Sequence, residues 1–150
     1  MPIVKAELLE NIADNLLQGA GAPADESATV ARHVIGANLA GHDSHGIIQI
    51  PTYIELVVKK EIIPGANWEI VQESPTTTVV DGHWGFGYVA NERAMKYTIE
   101  KAKTQNIAAA TVFRQGHIGR LASYPLMAAK DCNDYCRLGS RAKACSAFWW

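Results

Sequence analysis

Residues 107–113 read Ile-Ala-Ala-Ala-Thr-Val-Phe, a continuous run of seven apolar or β-branched residues between polar neighbours. A run this short predicts a strand that is covered on both faces. A helical face precedes it over about 87–104, formed by Tyr88, Met95, Ile99 and Ala102. Two further strands are predicted before this helix, over Trp68 to Gln72 and over Thr76 to Val80, where Asp81-Gly82 ends the second.

Further helices flank this strand–helix–strand unit. One is predicted from about Lys5 to Gln18, a second from about Asp25 until Gly41 and a third from Pro51 to about Lys59, and Leu121 to Lys130 begins a fourth. The apolar residues expected to face the core from the first helix are Leu8, Leu9, Ile12, Leu16 and Leu17. Helices that alternate with short strands predict a mixed α/β or α+β fold.

Composition excludes several classes of protein. The chain has 150 residues, and this length by itself predicts one domain. A formal net charge of −1 argues against a basic nucleic-acid-binding protein. We find no apolar run near the ~20 residues that cross a membrane, and no signal-peptide pattern at the start. A cytoplasmic protein is therefore expected.

Asp43-Ser44-His45 forms the first candidate site, in a polar segment bracketed by Gly41 and Gly46. A histidine beside a hydroxyl and a carboxylate can act as a general acid or base near neutral pH. The alternative is a polar helix end at which the histidine interacts favourably with the helix dipole. Adjacent residues on an extended loop point in different directions, so the spacing alone does not define a catalytic relay.

A second candidate site, Gly116-His117-Ile118-Gly119-Arg120, lies between a predicted buried strand and a helix. Backbone N–H groups and a cation at a helix start can bind an anion. The spacing is not a dinucleotide fingerprint, and on spacing alone an ordinary strand-to-helix turn is favoured. The cysteines do not have zinc-site spacing, so no metal site is expected; they are Cys132, Cys136 and Cys145.

Several ordered motifs together resemble the type-2 malate/L-lactate dehydrogenase family over about residues 3–130. The first is Asp43-Ser44-His45-Gly46 followed by Pro51 and Tyr53. The later ones are Val80-Asp81-Gly82 with Gly85-Phe86-Gly87, then Ala94-Met95, Ile107, and His117-Ile118-Gly119 with Tyr124. The resemblance implies a non-Rossmann fold, a homodimer, and NAD- or NADP-dependent oxidation and reduction of 2-hydroxy and 2-keto acids such as malate or lactate.

The resemblance also implies roles for individual residues. His45 resembles the proton donor to the substrate carbonyl, and Ser44 resembles its hydrogen-bonded relay partner. The segment His117, Ile118, Gly119, Arg120 and Leu121 matches the part that meets the nicotinamide cofactor, and in some branches His117 has the acid/base role instead. Gln49 is the expected substrate-binding residue and stands where many relatives carry an arginine suited to the substrate carboxylate. Gln49 is neutral and cannot replace that charge, so either another cation binds the carboxylate or the substrate is unusual.

At Asp131 the resemblance stops and the composition changes. Read one nucleotide later, the codons of residues 131–137 can encode only Ile, Thr, Val, Ala or Met, and the last four residues can read Pro-Phe-Gly-Gly, as in the family. We therefore expect residues 1–130 to be the front part of a dehydrogenase, truncated and lacking much of its cofactor site. Residues 131–150 are then an out-of-frame tail. The alternatives are a natural short protein and a noncatalytic binding or interaction domain on the same scaffold.

Overall fold

A computed structural model gives the fold as helices around a small sheet. It describes the backbone of residues 4–137 and 146–149, and the side chains of residues 4–131. The helices are α1 (Ala6–Gly19), α2 (Ala24–Leu39), α3 (Ile50–Val58), α4 (Gly87–Gln105) and α5 (Ser123–Arg137). The strands are β1 (Glu69–Glu73), β2 (Thr77–Gly85), β3 (Ile107–Gln115) and β4 (Ser146–Trp149). The predicted mixed α/β fold is confirmed.

The sheet has the order β1-β2-β3-β4. β1 and β2 are antiparallel, whereas β2 pairs with β3, and β3 with β4, in parallel. Because parallel neighbours need a crossover, α4 connects β2 to β3 and packs against both strands. The loop after β3 is thereby brought to the same end of the sheet as the start of α4, where Gly116 donates its N–H to the carbonyl of Gly85 at 2.9 Å.

Two apolar clusters hold the layers together. The larger one joins α1, α2 and α3 to the start of α4, and its largest members include Leu17, Tyr53 and Tyr88. The smaller one joins α4 to α5 through Met95, Ile99, Tyr124 and Ala128. The candidate residues lie where the helical layer meets the start of α4.

The structure corrects two expectations about the strands. β3 is not covered on both faces among the described residues, because Ala108 and Ala110 are buried whereas Ile107 and Phe113 are about half exposed. β2 does not end at Asp81-Gly82 but continues to Gly85. It continues because the buried Asp81 carboxylate pairs with Arg114 on β3, and a register shift follows between Asp81 and Gly85.

One expectation about the helices also changes. The face that α1 buries contains Ala13 and Leu17, while Leu8, Ile12 and Leu16 are 42–54% exposed. α1 has apolar residues around much of its circumference, so periodicity alone did not select the buried face. The last helix passes through Asp131 to Arg137 without a backbone interruption. The side chains of the three cysteines lie outside the described residues.

No helix in the described part of the chain is both long enough and apolar enough to cross a membrane.

Candidate functional site

Ser44 and His45 lie on a 3-10 turn, Asp43–His45, which follows α2 and precedes a second such turn, Ile47–Gln49. The turn changes the geometry expected for an extended loop, since it lets neighbouring side chains meet. Ser44 Oγ lies 3.0 Å from His45 Nδ1. Because a hydroxyl can donate or accept, this contact is compatible with either protonation state of Nδ1.

Asn38, at the end of α2, forms hydrogen bonds to both of these turns. Its Oδ1 accepts the backbone N–H of Ile47 at 2.7 Å, and its Nδ2 donates to Asp43 Oδ1 at 2.6 Å. A Cβ at Gly46 would overlap the Asn38 side-chain amide, so a larger residue there would displace Asn38 from these hydrogen bonds. The Gln49 amide nitrogen donates to the Ser44 carbonyl oxygen at 2.7 Å, which braces the turn that carries His45.

His117 is held from the helical layer by two tyrosines. The hydroxyl of Tyr53 on α3 lies 2.8 Å from His117 Nδ1 and 2.8 Å from the hydroxyl of Tyr88 on α4. Both tyrosines are almost fully buried, and burial raises the pKa of each phenol, so both remain protonated at neutral pH. The chain of contacts fixes one nitrogen of His117 and leaves Nε2 as the other hydrogen-bonding atom of the ring.

The two candidate histidines lie side by side. Their ring centroids are 5.5 Å apart with an interplanar angle of 23°. Partial burial lowers the pKa of His117, and the nearby His45 lowers it further. His117 is therefore mainly neutral at pH 7, because a depressed pKa lies below the ordinary value of about 6.5.

The segment after His117 divides between two sides of the molecule. The carbonyl of Ile118 accepts the hydroxyl of Tyr124 at 2.7 Å, and Gly119 has a left-handed φ of 66°. Leu121 is 63% exposed, whereas Arg120 lines a cavity between α2, α4 and α5. The structure thus brings Ser44, His45, Gln49 and His117 together and turns Arg120 to another surface.

Three residues of this site have no role in the sequence analysis: Tyr53, Tyr88 and Asn38. Tyr53 stands in a motif and Tyr88 on a helical face, but the pattern gives no partner for either hydroxyl. One general rule could have indicated this contact: the hydroxyl of a buried tyrosine usually forms a hydrogen bond, and a histidine is a suitable partner. No local signal marks Asn38, because its partners come from the turns after α2.

The sequence match to a known family agrees with this arrangement. The sequence profile described as malate/L-lactate dehydrogenase matches residues 4–132. The chain therefore belongs to the malate/L-lactate dehydrogenase family.

Similar proteins of known name include hydroxycarboxylate dehydrogenase B of Escherichia coli O157:H7, 38% identical over 116 residues, which make up 77% of this chain and 32% of that protein. Malate dehydrogenase of Pyrococcus abyssi is 33% identical over 129 residues, covering 86% of this chain and 35% of the relative. The chain spans about a third of the length of the curated relatives it matches.

Solved structures of malate and sulfolactate dehydrogenases are also similar to this chain. Sulfolactate dehydrogenase from Methanocaldococcus jannaschii superposes with a TM-score of 0.84 at 32% identity, over 87% of this chain and 38% of that chain. Malate dehydrogenase from Pyrococcus horikoshii OT3 superposes with a TM-score of 0.83 at 28% identity, over 85% of this chain and 37% of that chain.

Proposed function

We propose that these residues serve hydride transfer between NAD or NADP and a small 2-hydroxy or 2-keto acid such as malate or lactate. The observation that carries the proposal is the pairing of Ser44–His45 with His117, two imidazoles on one face of the molecule with separate supports for their Nδ1 atoms. Names of the relatives, which are dehydrogenases of malate, sulfolactate and lactate, support the same substrate class.

His45 is the proposed proton donor in the reducing direction. Hydride reaching C2 of the keto acid turns the carbonyl oxygen into an alkoxide, which takes a proton from His45 Nε2 and becomes the hydroxyl of the product. Nδ1–H donates to Ser44 Oγ before and after this transfer, so the ring need not turn over. Water then returns a proton to Nε2, and the oxidising direction runs the same steps in reverse.

His117 is the proposed orienting group. A neutral His117 can accept at Nδ1 from the Tyr53 hydroxyl, while the Tyr53 oxygen accepts from Tyr88, and this places the remaining proton on Nε2. Nε2–H can then donate to the same carbonyl oxygen and polarise it. The acid/base role that some branches give to His117 is the competing assignment, and it would use the same nitrogen.

The nicotinamide cofactor would supply or accept the hydride. The residues present fit one end of such a cofactor, because the exposed Leu121 side chain and the His117 ring belong to one short segment and offer surface to a planar ring. Gln49 remains the proposed substrate neighbour, although its amide nitrogen is already engaged with Ser44. The proposal further includes a cytoplasmic homodimer, as the resemblance implies.

The test is NADH oxidation with pyruvate or oxaloacetate, measured on this chain and on a version in which the frame after residue 130 is restored. His45→Ala should abolish turnover in the active version with an unchanged circular dichroism spectrum. His42→Ala is the matched control, since His42 is exposed and three residues away, and it should retain turnover.

Equal turnover of His45→Ala and the unsubstituted protein would exclude His45 as the donor. His117→Ala, tested alongside, decides between the two histidines. If both versions fold but neither binds NADH nor oxidises it, the noncatalytic binding domain becomes the better interpretation.

A further inference from the structure

A cavity of about 510 Å³ lies between α2, α4 and α5, on the surface to which Arg120 turns. Its volume falls in the range of about 300–1,000 Å³ that is usual for small-molecule sites. The charged side chains that line it in the described part of the chain are Arg32, Glu92, Lys96, Arg120 and Lys130. Four are cations and one is a carboxylate, so the lining has an excess of positive charge.

Glu92 forms ion pairs with two of these cations, and both of its oxygens are engaged. Its Oε2 accepts from His33 Nε2 at 2.8 Å and from Arg32 Nη2 at 3.0 Å, and its Oε1 accepts from Lys96 Nζ at 2.7 Å. The contact with His33 is the main cause that holds the pKa of Glu92 far below its usual range in spite of burial. The contacts with Lys96 and Arg32 lower it further. Glu92 is therefore ionised.

Arg120 has no such partner among the described residues. Its Nε is buried and has no hydrogen bond to any residue that the structure describes. A buried guanidinium nitrogen without an acceptor is costly, and native structures usually resolve it with a water, an ion or a ligand. This observation points to an acceptor that enters the cavity from outside the described chain.

The backbone cannot provide the main binding groups here. At the start of α5 the N–H groups of Ser123, Tyr124 and Leu126 already donate to preceding carbonyls, and Pro125 has no N–H. Recognition must therefore rest on side chains, and those of Arg120, Ser123 and Lys130 line the cavity. A planar guanidinium with free N–H donors suits the oxygens of a phosphate group.

We propose that this cavity binds a phosphate group, with Arg120 as its principal ligand. The proposed ligand is a phosphorylated small molecule separate from the nicotinamide cofactor, because the cavity lies on a different surface from the histidine pair. The proposal does not depend on hydride transfer, since it rests on the cavity, the charge excess and the orphaned Nε, all of them separate from the histidine pair.

The experiment titrates the full chain with sodium pyrophosphate, followed by isothermal titration calorimetry and by amide NMR shifts. We expect saturable binding that weakens as salt is added, with the largest shifts at Gly36 and Ser123. Arg120→Gln should weaken binding at least about tenfold, because it removes a charge-assisted contact. Arg120→Lys, which keeps the charge but loses the fork, should fall in between.

Lys59→Gln is the matched control, because it removes the same charge from α3, away from the cavity, and should bind pyrophosphate as the unsubstituted chain does. Equal weakening by Arg120→Gln and Lys59→Gln, or no saturable binding, would overturn the proposal. Circular dichroism establishes that each variant folds.

A competition titration with NADH and NADPH tests whether the phosphate belongs to the cofactor. Simultaneous binding of pyrophosphate and the dinucleotide supports a separate ligand, whereas displacement of the dinucleotide by pyrophosphate would overturn the proposal. Failure of the hydride-transfer proposal is recognised independently, as absence of NADH oxidation with pyrophosphate binding intact.

Discussion

Gly87, the first residue of α4, provides the sharpest test of how the site is packed. A Cβ at this position would lie 2.1 Å from the carbonyl oxygen of Gly116 and 2.6 Å from that of His117. Both atoms belong to the backbone, so no side chain can rotate away. Gly87→Ala therefore forces α4 and the segment that carries His117 apart.

Two opposing effects determine how much Gly87→Ala changes the free energy of unfolding. Overpacking that moves backbone costs about 1–3 kcal/mol, whereas Ala in place of Gly in a helix can return up to about 1 kcal/mol. The clash is larger, so we expect Gly87→Ala to lower the free energy of unfolding by about 1–2 kcal/mol. The displaced His117 should also lose its contact with Tyr53.

Gly36→Ala is the matched control. Gly36 lies within α2, and a Cβ there would meet nothing within 4 Å. The same substitution should therefore stabilise the chain by about 0.5–1 kcal/mol, because alanine has less conformational freedom to lose. The two variants are expected to have opposite signs.

Urea unfolding followed by tryptophan fluorescence measures both changes, provided that the m-values agree. The His117 imidazole shifts in NMR spectra report on its contact with Tyr53. A Gly87→Ala variant as stable as the unsubstituted chain, with unchanged His117 shifts, would refute the close approach described for these backbones.

Three other predictions concern separate features. Tyr53→Phe removes the hydroxyl at His117 Nδ1, so the tautomer populations of His117 should change in nitrogen NMR spectra; unchanged spectra would contradict the contact. Glu92→Gln should lower the free energy of unfolding by about 1–3 kcal/mol at neutral pH, because the buried His33 loses its carboxylate partner. The cost stays in this range because the exposed Arg32 and Lys96 side chains can be solvated by water instead. The Glu92 contribution is present above its unfolded pKa of about 4.3 and is lost as pH falls toward its depressed folded value, so the variant should lose less stability than the unsubstituted chain in acid unfolding curves. Finally, the coding DNA for residues 131–150 should encode an apolar strand and Pro-Phe-Gly-Gly one nucleotide later; incompatible codons would rule out the out-of-frame tail.

The sequence predicted those parts of the fold that depend on local pattern. The helix over 87–105 and the strand after it have clear periodicity or composition, and both form close to the predicted bounds. The prediction that Leu8, Ile12 and Leu16 face the core was wrong, because the buried face of α1 is selected by the helices that pack on it, as they do on Leu17. The predicted end of β2 at Asp81-Gly82 was wrong too, and there Asp81 is held by Arg114, which is 33 residues away.

The candidate site likewise has a local part that the sequence predicted and a long-range part that it did not. The Ser44–His45 contact is local, and the motif identified both residues. The support of His117 is not local, because Tyr53 is 64 residues before it and Tyr88 lies on another helix. Nothing in the spacing of these three residues predicts that their polar atoms meet.

The span between Tyr53 and His117 has a consequence for folding kinetics. Their contact closes a loop of 64 residues that contains β1, β2, α4 and β3. Closing long loops is entropically unfavourable until other contacts compensate, so long-range contacts of this kind tend to form late. In refolding experiments the His117 resonances should therefore reach their native positions after helical circular dichroism has recovered, as the helical layer docks on the sheet.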